Sequence, residues 1–400
     1  MPLPLTGFRI LDLTNVLAGP FCCDQLGQLG AEIIKIEVPG NGDLARQLGA
    51  DPALNEKRMG ASFLAQNAGK KSLTLDLKAP RGKEVLRRLV GAADALVENF
   101  RPGVMARLGF SYEALKAVNP RLVYCAISGF GQDGPLAAQP AYDQIVQGLS
   151  GIMSVTGDRG SAPLRAGFPI CDTLGGLTAA FAVAAALAGR GATGEGCFID
   201  VSMLEASLTA MGWVVSNWLI AGQAPVPMGN ENVTAAPSGT FRAADGPINI
   251  AANKQEHFET VCRLIARPDL ARDPRFAERD RRKLNRAALT AELEAALAAR
   301  PAAEWEALLN GAGVPAGRVL DVREILEHPQ IAARGVVRTL PAPRGLDAAI
   351  RVLRAGFRLS GGDPGPAGPP PALGEHSETI LREIGYDPAA IAALRKAGIV

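Results

Sequence analysis

The chain has 400 residues, 48% of them hydrophobic and 20% charged, and a formal net charge of +2. This length exceeds one ordinary core, so two domains are expected, and the balance excludes a disordered chain. Basic residues are scattered rather than massed, which argues against a nucleic-acid partner.

The first half alternates strand and helix signals. Met1 to Val16 shows no basic region followed by a long apolar run, so no signal peptide is read. Phe8–Leu13 is an apolar strand, Gly19-Pro20 turns the chain into a helix towards Leu29, and Gly30 ends it. Glu32–Val38 and Ser72–Leu77 read as the next strands. Pro80 sits where a first-turn proline belongs, opening a helix to about Ala93. Ala95–Phe100 and Leu122–Ser128 follow as strands. Strands separated by helices of this length imply right-handed parallel crossovers and an α/β, Rossmann-like sheet.

A long Ala-rich helix is expected over Thr173–Gly189, then a strand at Cys197–Val201 and a helix over Met203–Ile220. The longest apolar stretch, Leu177–Ala188, is too short to span a bilayer, which takes about 20 residues, and reads as a buried helix. Composition changes near Ala221. The Pro-, Gly- and Asn-rich segment to Thr240 reads as a linker or loop. A smaller α+β domain follows, with a strand at Ile248–Ala251 and helices at Glu292–Ala299 and Ala303–Leu309. Val336–Leu359 returns to strand-like alternation, Asp363–Pro371 is irregular, and the tail reads as two amphipathic helices. The predicted domains are therefore 1–220 with 336–400, and 221–335.

Several chemistries lack their residues. The six cysteines show no CxxC pair, which fits a reduced compartment. The three histidines make no metal-ligand pattern, so no metal site is expected. There is no GxSxG elbow and no Walker A sequence. Two GxGxxG matches fail on context. Gly189, Gly191 and Gly194 follow a helix and precede a strand. After Gly129, Gly131 and Gly134, Pro135 blocks an immediate helix and no acidic residue follows at the ribose spacing.

Asp172 stands at the head of the long helix. One reading is a helix N-cap. The other is a nucleophile kept ionised by the positive helix end, with Gly175 and Gly176 clearing the first turn for a bulky thioester. Local sequence leaves both open.

The chain resembles the class III CoA-transferases, the formyl-CoA transferase and carnitine CoA-transferase group, from Leu5 to Val400. The ordered blocks are GFRILDLTNVLAGP (Gly7–Pro20), GAEIIKIEVPGNGD (Gly30–Asp43), KKSLTLDLK (Lys70–Lys78), LVENFRPG (Leu96–Gly103), GFGQDGP (Gly129–Pro135), TGEGCFIDVSM (Thr193–Met203), GVPAG (Gly313–Gly317) and LGEHSETIL (Leu373–Leu381), with the Asp172 segment between. The resemblance implies that Asp172 is the nucleophile and passes through a covalent aspartyl-CoA thioester. Neither ATP, metal nor tightly bound cofactor is then needed, because coenzyme A itself is the substrate. It also implies an interlocked homodimer acting on an acyl-CoA and a small carboxylic acid; the cysteine usage and the short apolar stretch point to a cytoplasmic enzyme with no membrane partner.

Family CoA contacts carry over to Leu17, Ala18, Leu75 to Lys78, Asn99, Phe100, Arg101, Arg107, and Pro140 to Asp143, including Tyr142. Lys78, Arg101 and Arg107 are the expected phosphate partners. Two departures from the formyl-CoA transferase branch stand out. Val38 replaces an arginine, and Met228–Ser238 lacks a glycine-rich loop. The first means that one adenine or phosphate contact is lost or supplied elsewhere, the second argues against oxalate as acceptor, and the tail Tyr386–Val400 is closer to the succinyl-CoA:dicarboxylate branch. An α-methylacyl-CoA racemase shares the fold but needs a histidine where Tyr142 stands, and a phenol near pKa 10 is a poor base. A non-catalytic acyl-CoA binding protein would not need Asp172.

Overall fold

Five short runs dominated by apolar and β-branched residues, together with a sixth at 198–202, pair into one parallel sheet. In the computed structural model, which describes residues 2–400, these strands are β1 (Arg9–Leu13), β2 (Glu32–Glu37), β3 (Lys71–Thr74), β4 (Ala95–Glu98), β5 (Val123–Ser128) and β6 (Phe198–Ser202). Their order is β3-β2-β1-β4-β5-β6, all neighbours parallel. This is the doubly wound Rossmann order, with its switch point between β1 and β4. Every residue of β4 and β5 is buried, as expected for strands covered on both faces.

The helices used below are α1 (Ala18–Gln28), α2 (Pro80–Gly91), α3 (Val104–Leu108), α4 (Asp143–Leu149), α5 (Ile170–Thr193), α6 (Met203–Ala210) and α7 (Gly212–Ala221). One core lies on the α1/α5 face of the sheet, built from Cys22, Leu26, Ala179, Val183 and Leu187 against Ile10, Val97 and Cys125. The other lies on the α2 face, where Val85, Leu86 and Leu89 meet Leu11, Leu73 and Leu96. Two helices of the C-terminal tail, Ser377–Glu383 and Pro388–Lys396, join this second core through Ile380, Leu381, Ile391 and Leu394.

Small residues set how closely α1 and α5 approach. A Cβ on Gly176 would lie 2.5 Å from the Ala18 carbonyl oxygen, and one on Gly175 would lie 2.8 Å from Met203 Cγ. These glycines are therefore buried helix contacts and do not clear a path for substrate, which corrects the sequence expectation. The long helix starts at Ile170 and runs 24 residues, enough by length and composition to cross a membrane. Its stripe Gly175, Ala179, Val183, Leu187 nevertheless lies in the core, and Arg190 at its end is buried and paired with Asp94. The expected helix over Met203–Ile220 divides at Met211 into α6 and α7.

The chain forms two compact units: 1–152 with 165–223 and 330–400, and 153–164 with 224–329. The smaller unit thus also takes 153–164, which the sequence placed in the large domain. It holds an antiparallel sheet of β7 (Ser238–Arg242), β8 (Pro247–Ala251) and β9 (Ala316–Arg318), with its own core around Phe258, Leu293 and Trp305. The segment from Ala224 to Pro237 carries no regular element. Its backbone carbonyls are held instead by three arginines: Arg279 on Thr234, Arg282 on Ala236, and Arg286 on Asn232 and Ala235. β10 (Val337–Leu340) and β11 (Ile350–Leu353) form a hairpin within the larger unit.

Candidate active site

The loop after β1 is fixed by buried charge. Lys70 Nζ lies 2.8 Å from Asp12 Oδ2 and donates to the Pro20 carbonyl. Lys35 Nζ lies 2.9 Å from Asp43 Oδ2 and donates to the Thr14 carbonyl. All four side chains are essentially unexposed. Burial pushes the Asp12 carboxyl up, but Lys35 and Lys70 outweigh it and the net direction is down. Val16 then adopts φ +69°, a strained conformation for a β-branched residue, while its N–H donates to Asp43 Oδ1 at 3.0 Å.

The same loop is locked to the loop after β4. Asn15 N–H donates to Asn99 Oδ1, and Asn99 Nδ2 donates to the Asn15 carbonyl, both at 2.8 Å. Asn99, expected as a CoA contact, therefore has both amide atoms engaged across the switch point. Beside it a cleft of about 510 Å³ opens at the C-terminal ends of β1 to β4, a size that suits a cofactor-like ligand. Leu13, Ile36, Leu75 and Phe100 give it an apolar floor, and exposed Lys78 stands at its edge. Val38, the departure noted above, lines the same cleft. Arg101 and Arg107 are exposed next to it. Arg107, on α3, folds back over Gly103, whose φ of +80° suits glycine.

The remaining predicted residues gather at the head of α5. Leu17 and Ala18 begin α1, and the Ala18 carbonyl packs on Gly176, four residues beyond Asp172. Tyr142 precedes α4 and is 70% exposed. Asp143 is buried, and its carboxylate makes the cap that the sequence analysis considered for Asp172. Asp143 Oδ1 accepts from Cys171 N–H at 2.8 Å and from Asp172 N–H at 3.3 Å.

Asp172 itself is the third residue of α5, half-buried. Among the described residues, no donor bonds its carboxylate. Burial first, and the charge of Asp143 second, push it up to about 7. The helix end was expected to favour the ionised form, and burial and Asp143 act against that preference. Asp143 already occupies that end, and its charge opposes a second one. A capping aspartate would be hydrogen-bonded and shifted down, and Asp172 is neither.

The smaller unit has a larger cleft, about 780 Å³, lined by Asn230, Glu231, Asn232, Ser238, Thr240 and Asn249. None of the predicted site residues lies there.

The model of CoA-transferase family III matches residues 5–377. The chain belongs to CoA-transferase family III. It is 45% identical over 335 residues to the acetyl-CoA:oxalate CoA-transferase of Acetobacter aceti, covering 84% of this chain and 85% of that protein. It is 36% identical over 398 residues to the succinyl-CoA:glutarate CoA-transferase of Mus musculus, covering 99% of this chain and 90% of the mouse protein. A crystal structure of a CAIB/BAIF family protein from Brucella suis superposes with TM-score 0.85 at 36% identity, covering 96% and 100% of the two chains. This family III member is accordingly an enzyme that moves coenzyme A between acyl-CoA thioesters and carboxylic acids.

Reading residues one at a time missed the Asp143–α5 cap and the Asn15–Asn99 lock. The i,i+4 pair Asp143 and Gln147 was a usable signal for the first. Nothing in the sequence pairs two asparagines 84 positions apart.

Proposed function

We propose that this CoA-transferase works through Asp172 as a covalent nucleophile, with succinyl-CoA as donor and a short dicarboxylate as acceptor. The observation that carries the reading is the unpartnered, half-buried Asp172 carboxylate, held up near 7 by burial and Asp143.

In this reading an Asp172 oxygen attacks the donor thioester carbon, the C–S bond breaks, and CoA leaves as thiolate. The thiolate attacks the aspartyl carbonyl of the mixed anhydride, whose C–O bond breaks to release the donor acid. The resulting aspartyl-CoA thioester is attacked by the acceptor carboxylate, and the same two steps run in reverse. Each step exchanges one activated carbonyl bond for another. The apolar cleft holds part of the CoA, and Lys78, Arg101 and Arg107 meet its phosphates.

The acceptor class is supported by the relatives, whose names specify oxalate, glutarate and mesaconate. The 45%-identical relative acts on oxalate by name, which runs against the sequence expectation, so oxalate stays within the proposed class. The exposed apolar residues Phe181 on α5 and Trp213, Trp218, Leu219 and Ile220 on α7 support burial against a second copy of the chain. All six cysteines are free thiols, which supports a reducing, cytoplasmic location.

The test is a screen of succinyl-CoA and acetyl-CoA against glutarate, mesaconate and oxalate, with wild type and Asp172→Ala compared. Transfer by wild type alone supports the reading. An Asp172→Ala protein that turns over near the wild-type rate sinks it.

A further inference from the structure

We infer that Asp143 and Gln147, one turn apart on α4, form a positioning pair that fixes the Asp172 nucleophile and sets a negative charge against it. This inference rests on the covalent reading of Asp172 and deepens it. Both residues are buried, Asp143 at 6% exposure and Gln147 at 0%. Asp143 Oδ1 takes the Cys171 and Asp172 N–H groups, and its Oδ2 accepts from Gln147 Nε2 at 2.7 Å. Gln147 in turn accepts from Ala166 N–H at 2.9 Å and donates to the Phe168 carbonyl at 3.3 Å. Two side chains from one helix thus tie down both the segment entering α5 and the first turn of α5. The Asp172 backbone has little freedom to shift.

The charge has a separate consequence. Around Asp172, α4 contributes Asp143, the entering segment contributes Arg165, 3.8 Å from Asp143 Oδ2, and α5 contributes the buried Cys171 thiol. α1 and α6 present Ala18, Phe21 and Met203 to the same end of α5. Asp143, whose Oδ1 lies 3.3 Å from the Asp172 backbone nitrogen, is the charged group that adds to burial in raising the Asp172 carboxyl. The repulsion exists only while Asp172 is a free carboxylate. An aspartyl anhydride or thioester is neutral, so acylation relieves it. Asp143 therefore raises the free nucleophile relative to the covalent intermediates.

Asp143→Asn keeps an oxygen for the two α5 N–H groups and removes the charge, while its amide nitrogen meets the Gln147 Nε2 donor and so gives up that bond. The first measurement needs no substrate. The unfolding midpoint of each protein is compared with that of its Asp172→Asn counterpart from pH 5 to 9. In the wild-type background, Asp172→Asn gains relative stability as pH rises through about 7. In the Asp143→Asn background, that inflection moves down by about one pH unit. An unmoved inflection overturns the charge role.

The second measurement is transfer from succinyl-CoA to glutarate. Gln147→Ala should lower kcat more than about tenfold with the donor KM nearly unchanged. A raised donor KM with unchanged kcat would make the pair a CoA-binding element and overturn the positioning role. Transfer that survives Asp172→Ala would sink the covalent reading instead, leaving the substrate-free comparison to decide on Asp143.

Discussion

Gly176 and Gly189 lie on the same helix and make opposite predictions. A Cβ at Gly176 meets the Ala18 carbonyl oxygen at 2.5 Å and Phe21 Cδ1 at 3.1 Å, whereas one at Gly189 meets open space. The Ala18 carbonyl belongs to the first turn of α1, which Lys70 holds through the Pro20 carbonyl. Reaching an ordinary contact of about 3.5 Å requires the helices to part by roughly 1 Å. Overpacking of that kind costs about 1–3 kcal/mol. Replacing glycine by alanine inside a helix returns about 1 kcal/mol in either variant. Gly176→Ala should therefore be less stable than Gly189→Ala by about 1–3 kcal/mol, measured by urea unfolding. The displaced groups are Leu17, Ala18 and the turn bearing Asp172, so Gly176→Ala should also lose on the order of a hundredfold in turnover. Gly189→Ala should keep wild-type turnover. Two variants of equal stability and equal activity would refute the close α1–α5 contact as the element that sets the site.

Lys35→Met removes one cation from a buried cluster and leaves Asp43 unpaired, so unfolding should come about 3–5 kcal/mol earlier; a change under about 1 kcal/mol would mean the cluster is not closed to water. Asp172→Asn should lose on the order of a thousandfold or more in transfer, yet melt higher than wild type at pH 8. The sign follows from a folded carboxyl raised to about 7, whose stabilising contribution is complete below the unfolded value and disappears as pH rises through 7. Arg107→Ala should raise KM for the CoA donor more than for the acid, and equal effects would remove its phosphate role. Trp218→Glu, on the exposed face of α7, should lower the mass in analytical ultracentrifugation relative to wild type, as the proposed self-association requires; an unchanged mass would place the contact elsewhere.

The α/β alternation and the individual strands were legible because buried parallel strands are short apolar runs bounded by glycine, as in Val123–Ser128 before Gly129. The interruption at Met211 was not legible, because α6 and α7 are both apolar and no proline separates them. Asp172 was legible as a singular carboxylate at a helix start. Its environment was not, because the groups that shape it come from α4, 29 positions away, and act through space. The roles of Gly175 and Gly176 were misread for the same reason. A glycine beside a nucleophile suggests room for substrate, and only tertiary packing reveals Ala18 and Met203 filling that room. The buried ionic cluster of Asp12, Lys35, Asp43 and Lys70 was not legible either, because its members come from separate strands and loops that only the fold brings together.

The most direct measurement is intact-protein and peptide mass spectrometry after mixing the enzyme with succinyl-CoA alone. The predicted result is a CoA-sized mass gain that maps to the peptide containing Asp172, disappears with hydroxylamine, and is absent from Asp172→Asn. No such adduct from an enzyme preparation that transfers CoA once an acceptor acid is added, or an adduct on another residue, would contradict the account.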